Sequence, residues 1–405
     1  MTKTGIDDYR AQNLTASPLG IAVVTNFNTH YRNGVFEEIA ARSEAQFLFY
    51  SSGGEGYWLS EHGVWKGSIR HRYLKGFTIA GTRVTPGLVP RLLMSKCDVI
   101  IKCINGRFAL PMTYMAARVM GKPFVLWTEV WMKFRTPAHR IFYPITRHIY
   151  RKSDAVIACG QHVADFLIAE GVSPQRIFIA RHAVDNELYS RSVDIDRRRE
   201  LRERLRARED QPIVLYLGRL TVVKGLPYLL EAFARLIDQG QDRDALLVLA
   251  GTGEDQSDLE RQARDLGIEG RIHMTGYINP DDTVTYYAES SVLVLPSIEL
   301  DHIKETWGLV VNEAFNQGLP VIATDAVGAA AGGLVRDGET GYVVPERNAD
   351  AITSRLSRLL GDPDLRSRMG ENCRREISEW TQAGMAETYV NAASFASREQ
   401  RRPMI

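Results

Sequence analysis

Two glutamates, Glu305 and Glu313, stand eight positions apart in one short segment of the chain. Residues 309–317 carry apolar side chains at helical spacing, which predicts a helix with Glu305 in the loop before it and Glu313 about one turn inside. Carboxylates in such places could bind the hydroxyls of a sugar and of a ribose. The alternative from the spacing alone is that Glu305 caps the helix and Glu313 is solvated.

Between the two glutamates lie residues that could approach a diphosphate. Gly308 allows the backbone to come close to a ligand. The amides of Leu309 and Val310 are predicted to be free donors at the start of the helix, where the helix dipole favours an anion. Trp307 precedes them.

A second set of residues combines glycine turns with cations. Gly218 and Arg219 follow the apolar run Ile213–Leu217, and Lys224 precedes a predicted helix. Such a turn offers backbone N–H groups to a phosphate, with Arg and Lys as charge partners. Its alternative is an ordinary surface loop. Gly251, which follows another apolar run, is a weaker signal of the same kind.

The composition excludes some classes of protein. The 405 residues include 50 Lys and Arg against 49 Asp and Glu, a net charge of +1, which argues against a nucleic-acid-binding protein. The four cysteines form no C-x-x-C pair and favour buried thiols in a reducing compartment. Residues 1–18 have no apolar core, and no run reaches the roughly 18 apolar residues of a membrane span. We expect a cytoplasmic location.

Strand-length apolar runs alternate with helical stretches, which predicts βα units and parallel sheets. The first half has strand candidates at Ile21–Thr25, Ala45–Tyr50, Asp98–Cys103, Pro123–Trp127, Ala155–Cys159 and Arg176–Ala180. The second half has them at Ile213–Leu217, Leu246–Ala250, Arg271–Thr275, Val292–Leu295 and Val321–Ala323. A charge-dense stretch from Arg191 to Asp210 separates the two series, and Trp380–Ala396 is predicted to be a final helix. The interpretation is α/β, with two doubly wound domains.

Several motifs in order resemble the donor-binding domain of retaining glycosyltransferase family 4. They are Gly218-Arg219-Leu220, Lys224-Gly225, Pro296-Ser297, Glu305 to Glu313, Gly318 to Ala323 and Asp337 to Val344. The resemblance covers residues 213–350 closely. Thr25–Phe36 and Ile179–Asp185 resemble the first half of the family less closely.

The resemblance implies the GT-B fold, in which two Rossmann-like domains face a central cleft. It implies an acceptor-binding domain over 1–190, a linker over 191–210 and a donor-binding domain over 211–379. It also implies a C-terminal helix within 380–405 that crosses back to the first domain.

The resemblance further assigns roles to residues. Arg219 and Lys224 would neutralise the diphosphate, Glu305 would hold the donor sugar and Glu313 the ribose. The other expected donor contacts are Gly34, Gly218, Gly251, Tyr277, Ile278, Trp307, Gly308, Leu309 and Val310, with Tyr277 and Ile278 flanking the base. The expected acceptor side is His30, Tyr31, Arg32 and Glu129.

The implied activity is that of a retaining enzyme of the hexosyltransferase type in glycan, glycolipid or glycoconjugate biosynthesis. The donor is a nucleotide sugar, with a UDP-sugar favoured over a GDP-sugar, and the acceptor is a hydroxyl that could be lipid-linked. No other cofactor is expected. Glu129, which stands where the family often has a histidine, is the one candidate to assist the acceptor, its alternative being a structural carboxylate paired with an arginine.

Catalysis is expected to need no metal. The chain has Asp-x-Asp tripeptides at 194–196, 242–244 and 362–364, but all lie in charged or turn-like stretches and none follows an apolar strand. Arg219, Lys224 and the amides of Leu309 and Val310 would take the place of a metal at the leaving group.

A basic, aromatic stretch runs from Lys133 to Lys152 without an acidic residue. It could dock on an anionic membrane at the inner face. Ile141, Ile145 and Ile149 recur at helical spacing and are expected to pack on the core, which leaves the opposite, basic face for docking. The alternative is a solvated helix face, and Pro137 and Pro144 are expected to interrupt the helix.

Two other functions compete with glycosyl transfer. A non-catalytic nucleotide-sugar-binding partner of another transferase could keep the same fold, although the presence of Arg219, Lys224, Glu305 and Glu313 argues against it. A two-domain dehydrogenase would need a G-x-G-x-x-G turn with an acidic residue at the end of the next strand, which this sequence lacks.

Overall fold

A computed structural model of the chain describes residues 18–51, 69–240 and 244–401. Two sheets organise it. The first has seven strands in the order β3-β2-β1-β6-β7-β8-β9. Its strands are β1 Gly20–Thr25, β2 Glu44–Phe49, β3 His71–Tyr73, β6 Val99–Cys103, β7 Phe124–Thr128, β8 Ala155–Ala158 and β9 Ile177–Ile179. The pairs that link β3, β2, β1, β6 and β7 are parallel.

The second sheet has six strands in the order β12-β11-β10-β13-β14-β15, and every neighbouring pair is parallel. Its strands are β10 Ile213–Leu217, β11 Leu246–Ala250, β12 Ile272–Gly276, β13 Val292–Leu295, β14 Val321–Thr324 and β15 Gly341–Val344. A separate antiparallel hairpin pairs β4 Phe77–Ile79 with β5 Thr82–Val84.

Helices connect the strands. In the first half they are α1 His30–Arg42, α2 Leu88–Leu93, α3 Ala109–Val119, α4 Pro137–Lys152, α5 Gln161–Ala169, α6 Asn186–Ser190 and α7 Ile195–Leu205. In the second half they are α8 Leu226–Asp238, α9 Gln256–Asp265, α10 Pro280–Glu289, α11 Val310–Asn316, α12 Gly328–Ala331, α13 Ala349–Gly361, α14 Pro363–Ser378 and α15 Gln382–Arg401. Short 3-10 turns occupy Pro174–Arg176, Val222–Lys224 and Glu269–Arg271.

The central strands are apolar throughout because helices cover both faces of a parallel sheet. All residues of β1, β6 and β7 are buried, as are those of β11 and β13. The helix α8 buries Leu226, Leu229, Leu230, Phe233 and Leu236, the spacing of one helical face, against the second sheet.

In each sheet, the strand order reverses between two neighbouring strands, so the segments that follow them lie on opposite faces of the sheet. This leaves a crevice at the carboxyl ends of the two strands. In the first sheet these are β1 and β6, and in the second they are β10 and β13. Ligands of doubly wound sheets bind at such points, so the residues that follow β10 and β13 are candidates for a ligand site.

The predicted strands are confirmed, with each boundary shifted by at most one residue, and the alternation of apolar runs with turns explains why. The short strands β3, β4, β5 and β15 were not predicted, since three or four residues carry little periodic signal. The final helix begins at Gln382 and continues to Arg401, beyond the predicted end. The four cysteines are buried and free of disulfides.

The described residues divide into two compact units. The first comprises residues within 1–127, 152–157 and 386–401, and the second those within 128–151 and 158–385. Within the first unit Tyr389 of α15 packs against Trp127, with ring centroids 5.4 Å apart. None of the helices in the described ranges is both long and apolar enough to cross a membrane.

Candidate functional site

Lys224 lies in the turn between β10 and α8, and a glycine holds that turn against the end of β13. Gly225 has φ +61°, and a Cβ on it would lie 2.1 Å from the carbonyl oxygen of Pro296. Only glycine allows this approach. The turn therefore packs on the segment that carries Ser297 and places Lys224 beside Glu305.

The carboxylate of Glu305 accepts hydrogen bonds from Lys224 Nζ and, at 3.2 Å, from Ser297 Oγ. The side chains of Lys224 and Glu305 are 16% and 15% exposed. Burial alone would raise the pKa of Glu305. The Lys224 ammonium, helped by Ser297 and Arg219, outweighs burial and holds that pKa below its ordinary value. Glu305 is therefore ionised at neutral pH.

The backbone of Glu305 is fixed from two sides. Its carbonyl oxygen accepts the amide of Gly328 at 3.2 Å and the indole Nε1 of Trp131 at 3.1 Å. The residue also forms an isolated bridge with Val327. Sequence analysis did not identify Trp131, which stands just after the apolar strand that ends near Glu129.

Trp131 also supports Lys304, the residue before Glu305. Lys304 Nζ lies 3.8 Å from the centroid of the Trp131 ring and 3.0 Å from a carboxylate oxygen of Glu299. Arg135 N donates to Asp301 O at 2.7 Å. The loop after β7 is therefore packed onto the loop that leads into Glu305.

Arg219 is exposed at the end of β10, and its carbonyl accepts Tyr216 OH at 2.6 Å. The glycines around it bring two loops together, since a Cβ on Gly251, where φ is +145°, would lie 1.8 Å from Gly218 O. The expected positions Gly218, Arg219 and Gly251 are thus neighbours at the carboxyl ends of β10 and β11. Arg219 contributes positive charge near Glu305.

The helix after Glu305 is shorter than expected. It is seven residues long, Val310–Asn316, with Leu309 as its N-cap. Gly308, at φ +92°, accepts the amide of Val311 at 3.0 Å, so the amides of Leu309 and Val310 stand at the open end of the helix. A helix this short has a small dipole, and local N–H donors matter more than the dipole.

Trp307, an expected donor contact, has a buried side chain. Its ring is 2% exposed and packs against His162, His182 and Trp380, while Nε1 donates to Asn312 Oδ1 at 2.7 Å. Burial lowers the pKa of His162 to about 4, so its ring is neutral within this cluster. The Trp307 side chain belongs to the packed interior, and only its backbone remains for a donor contact.

Glu313 is partly buried in the first turns of α11 rather than solvated. Its carboxylate accepts Tyr287 OH at 2.6 Å, and Tyr189 hydrogen-bonds to it as well. Burial raises the pKa of Glu313 above its ordinary value, and the two hydroxyls oppose this only in part. The tyrosines, which sequence analysis did not identify, orient the carboxylate.

Tyr277 and Ile278 line a small cavity of about 120 Å³ at the end of β12. Tyr286 and Arg204 line it too, and Arg204 Nη2 donates to Tyr286 OH at 3.0 Å. Tyr277 is 45% exposed. An exposed aromatic ring beside a small polar cavity suits stacking of a planar base.

The expected acceptor residues fall in both units. In the first, the Arg32 guanidinium lies 4.9 Å from the Trp127 ring centroid and 5.5 Å from that of Tyr31. Gly34, an expected donor contact, lies within α1 instead of in a loop. The side chain of His30 is outside the described part of the structure.

In the second unit, Glu129 Oε1 lies 3.5 Å from His182 Nε2. The partner at this distance is a histidine, whereas the alternative considered from the sequence was an arginine.

Two of the Asp-x-Asp tripeptides begin with helix caps. Asp194 accepts the amide of Asp196 at 2.8 Å at the start of α7, and Asp362 accepts the amide of Leu365 at 2.8 Å at the start of α14. Of the third, Asp242 lies outside the described residues, and Asp244 pairs with Arg208 at 2.9 Å. Over 18–51, 69–240 and 244–401, no three His, Cys, Asp or Glu side chains are grouped as metal ligands.

Comparison with known proteins places two family models on the chain. The model described as "Glycosyltransferase Family 4" matches residues 37–188, and "Glycosyl transferases group 1" matches residues 197–376. The second match contains Arg219, Lys224, Glu305 and Glu313.

Among curated proteins, the chain is 31% identical over 268 residues to an alpha-D-kanosaminyltransferase of Streptomyces kanamyceticus, covering 64% of this chain and 67% of that protein. It is 32% identical over 219 residues to a D-inositol 3-phosphate glycosyltransferase of Corynebacterium glutamicum, covering 52% of this chain and 50% of that protein. The chain thus spans between half and two thirds of the length of these relatives.

Among solved structures, HepE of Anabaena in complex with UDP superimposes with a TM-score of 0.73 at 18% identity, covering 93% of this chain and all of that one. The same protein in complex with UDP-glucose gives a TM-score of 0.71, also at 18% identity, covering 92% of this chain and 99% of that one. At such identity the likeness concerns the fold alone.

Proposed function

Because the chain belongs to glycosyltransferase family 4 and has the GT-B fold of two Rossmann-like domains, we propose that it transfers a sugar from a nucleotide-sugar donor to a hydroxyl acceptor with retention of anomeric configuration. The transfer is of the hexosyltransferase type and belongs to glycan, glycolipid or glycoconjugate biosynthesis. The proposed location is cytoplasmic.

The observation that carries this proposal is the pair formed by Lys224 and Glu305 at the carboxyl ends of β10 and β13. Two partly buried charges that compensate each other are stable without a ligand. A donor replaces both partners at once, because its diphosphate takes the ammonium and a sugar hydroxyl takes the carboxylate. Neither charge is then left unpaired during the exchange.

Charge on the leaving diphosphate decides the rate of such a reaction. As the bond between the sugar C1 and the phosphate oxygen breaks, negative charge grows on that oxygen. Lys224, Arg219 and the amides of Leu309 and Val310 are donors already in place for it, and preorganised donors of this kind stabilise the transition state most. We propose that they make a divalent metal unnecessary.

Retention follows if the acceptor attacks from the face that the leaving group vacates. A bond forms between C1 and the acceptor oxygen, and the acceptor proton passes to the leaving phosphate oxygen, so that charge and atoms balance. No strong base is then required. Glu129, 3.5 Å from His182, is the carboxylate proposed to assist the proton.

A UDP-sugar is the proposed donor in preference to a GDP-sugar. The cavity beside Tyr277, about 120 Å³, has an exposed aromatic ring at its side on which the base can stack. UDP and UDP-glucose are bound by the structurally similar HepE of Anabaena, which is consistent with this choice.

The anomeric configuration of the product tests the proposal. With an α-linked donor, NMR coupling of the anomeric proton should report an α-linked product, and a β-linked product would remove the retaining mechanism. Glu305→Gln should lower turnover more than donor affinity, since the amide keeps the shape of the carboxylate and loses its charge.

A donor-hydrolysis assay separates this function from that of a non-catalytic partner. A protein that binds the donor tightly but neither hydrolyses nor transfers it, with any acceptor supplied, would support the alternative.

A further inference from the structure

The helix α4 exposes apolar side chains that the sequence pattern assigns to the core. Ile141, Ile145 and Ile149 recur at helical spacing, yet only Ile149 is buried, at 1% exposure. Ile141 is 72% exposed and Ile145 50%, and Phe142 beside them is 50% exposed. The expectation that the first two isoleucines pack on the core is wrong.

Burial changes along the helix and not around it. Ile141, Ile145 and Ile149 follow at one-turn spacing and share a face, but only the end of α4 with Ile149 and Tyr150 is buried, where Tyr150 packs on Phe166 at 6.2 Å. Pro144 lies inside the helix, which continues through it from Pro137 to Lys152. Ile141, Phe142 and Ile145 therefore form an exposed apolar ridge along one side of α4.

The charged side chains that α4 itself carries are all basic. The helix contains no Asp or Glu. Arg140, Arg147, His148, Arg151 and Lys152 are exposed beside the ridge.

One acidic residue packs against this helix from a neighbouring element, and it is already engaged. Glu170, whose side chain is 2% exposed, pairs with Lys133 at 2.6 Å and with Arg147 at 3.1 Å. Within the described ranges of the chain, Arg140, Arg151 and Lys152 have no ion pair. The face around the ridge thus keeps a net positive charge.

An apolar ridge with a cationic border matches the chemistry of an anionic membrane surface. Isoleucine and phenylalanine enter the boundary between headgroups and acyl chains, while arginine and lysine pair with lipid phosphates at its surface. A single exposed isoleucine is common on a solvated helix, but here three exposed apolar side chains, Ile141, Phe142 and Ile145, are neighbours on one helix. A neutral protein groove would account for the ridge but not for the acid-free border.

We propose that the ridge Ile141, Phe142 and Ile145, with Arg140, Arg151 and Lys152 around it, docks this protein on a membrane that carries anionic lipids. The helix lies in the interface and does not cross it. The inference goes beyond the proposed function and can be tested without donor or acceptor.

The test is co-sedimentation with vesicles of phosphatidylcholine alone and of phosphatidylcholine with phosphatidylglycerol. The full chain should bind the anionic vesicles, and raising the salt should weaken that binding. The double substitution Ile141→Ser with Ile145→Ser should lower the partition coefficient by roughly tenfold, and Arg140→Gln with Arg151→Gln should lower it and flatten the salt dependence.

Ile195→Ser is the matched control, because Ile195 is 64% exposed at the start of α7, outside the ridge. It should bind vesicles as the unmodified chain does. Circular dichroism and the melting temperature establish that each variant is folded. We expect all of them to fold, because the substituted side chains are exposed.

Three results would overturn the proposal. One is equal binding to neutral and anionic vesicles or binding to neither, and another is anionic binding that the ridge and border substitutions leave unchanged. The third is a dimer in sedimentation velocity that Ile141→Ser with Ile145→Ser dissociates, because the ridge would then be an interface between two copies of the chain.

Discussion

Lys224 and Glu305 are 81 residues apart in the chain, and in the folded protein the ammonium of one lies against the carboxylate of the other. Each side chain keeps only about one sixth of its surface exposed, 16% and 15%. The pair is supported by Ser297 on the carboxylate and by Trp131 on the Glu305 backbone. In the proposed function, a nucleotide-sugar donor replaces this ion pair with contacts to its own diphosphate and hydroxyls.

Lys224→Ala should reduce glycosyl transfer by about 100-fold or more, because one preorganised cation at the leaving group is lost. The pKa of Glu305 should rise in this variant, since burial would no longer be opposed by the ammonium. Lys224→Arg should recover activity only in part, because a planar fork does not replace a point charge in a tight turn. Steady-state kinetics give the measurement, with Lys96→Ala, an exposed lysine elsewhere, as the control. Full activity of Lys224→Ala would show that the site is misplaced.

Trp131→Phe should lower kcat by roughly two- to tenfold, the value of one hydrogen bond, with little change in donor Kd. Phenylalanine keeps a ring for Lys304 and removes the Nε1 donor that holds the Glu305 carbonyl. Trp380→Phe is the matched control, because it removes an indole donor to Glu376 instead. Equal effects of the two substitutions on kcat would mean that Trp131 does not position Glu305.

Glu313→Gln should stabilise the fold at neutral pH while weakening donor binding. Burial raises the folded-state pKa of Glu313 above its unfolded value, so ionisation costs stability at pH values above both. This cost is absent below the unfolded pKa and grows as pH rises through the folded one. The melting temperature of Glu313→Gln should therefore exceed that of the unmodified chain at pH 8 and approach it near pH 4.

Glu289→Gln provides the contrast to Glu313→Gln, because Glu289 is also buried but is paired with Arg198 at 2.9 Å and with Arg202. It should destabilise at pH 8. If Glu313→Gln destabilises the fold at pH 8 as Glu289→Gln does, the two tyrosines compensate the carboxylate fully and the prediction is wrong.

Lys102, at the end of β6, should make the stability of the first unit depend on pH. Its side chain is fully buried, Nζ donates to the carbonyls of Cys103 and, at 2.7 Å, Asn105, and the ammonium lies 4.8 Å from the Tyr50 ring centroid. Burial lowers the pKa of Lys102 to about 7, below the ordinary 10.5.

Between pH values of about 7 and 10.5, Lys102 is protonated in the unfolded chain and mostly neutral in the folded one. The free energy of unfolding therefore rises with pH, by up to about 1.4 kcal/mol per pH unit. Lys102→Met should remove that slope, as chemical denaturation at pH 7, 8 and 9 would measure. If the free energy of unfolding rises with pH equally in Lys102→Met, a group other than Lys102 causes the pH dependence. Lys122→Met serves as the control at a less buried lysine.

Transfer activity should persist after exhaustive treatment with a chelator. In the proposed mechanism Arg219 and Lys224 supply the positive charge for the leaving diphosphate, whereas Asp194 and Asp362 serve as helix caps. Rates measured in EDTA and after addition of magnesium or manganese should agree within about twofold. This corresponds to a difference of about 0.4 kcal/mol in the activation free energy. Activity that disappears in EDTA and returns only with a divalent ion would contradict the metal-free mechanism.

The order of strands and helices was predictable because it depends on local pattern. Runs such as Ile213–Leu217, Leu246–Ala250 and Val292–Leu295 appear in the structure with the predicted bounds. A strand buried on both faces must be apolar along its whole length, and that requirement is visible in any window of the sequence. The spacing between Glu305 and Glu313 is equally local.

Tertiary structure alone decided what each of these residues contacts. Nothing in the local pattern pairs Lys224 with Glu305, since their meeting requires β10 and β13 to be neighbours. Nor could periodicity tell the buried Trp307 from an exposed one, or Ile149 from Ile141. A helical repeat shows which residues share a face, but the neighbours that the fold supplies determine which face is covered.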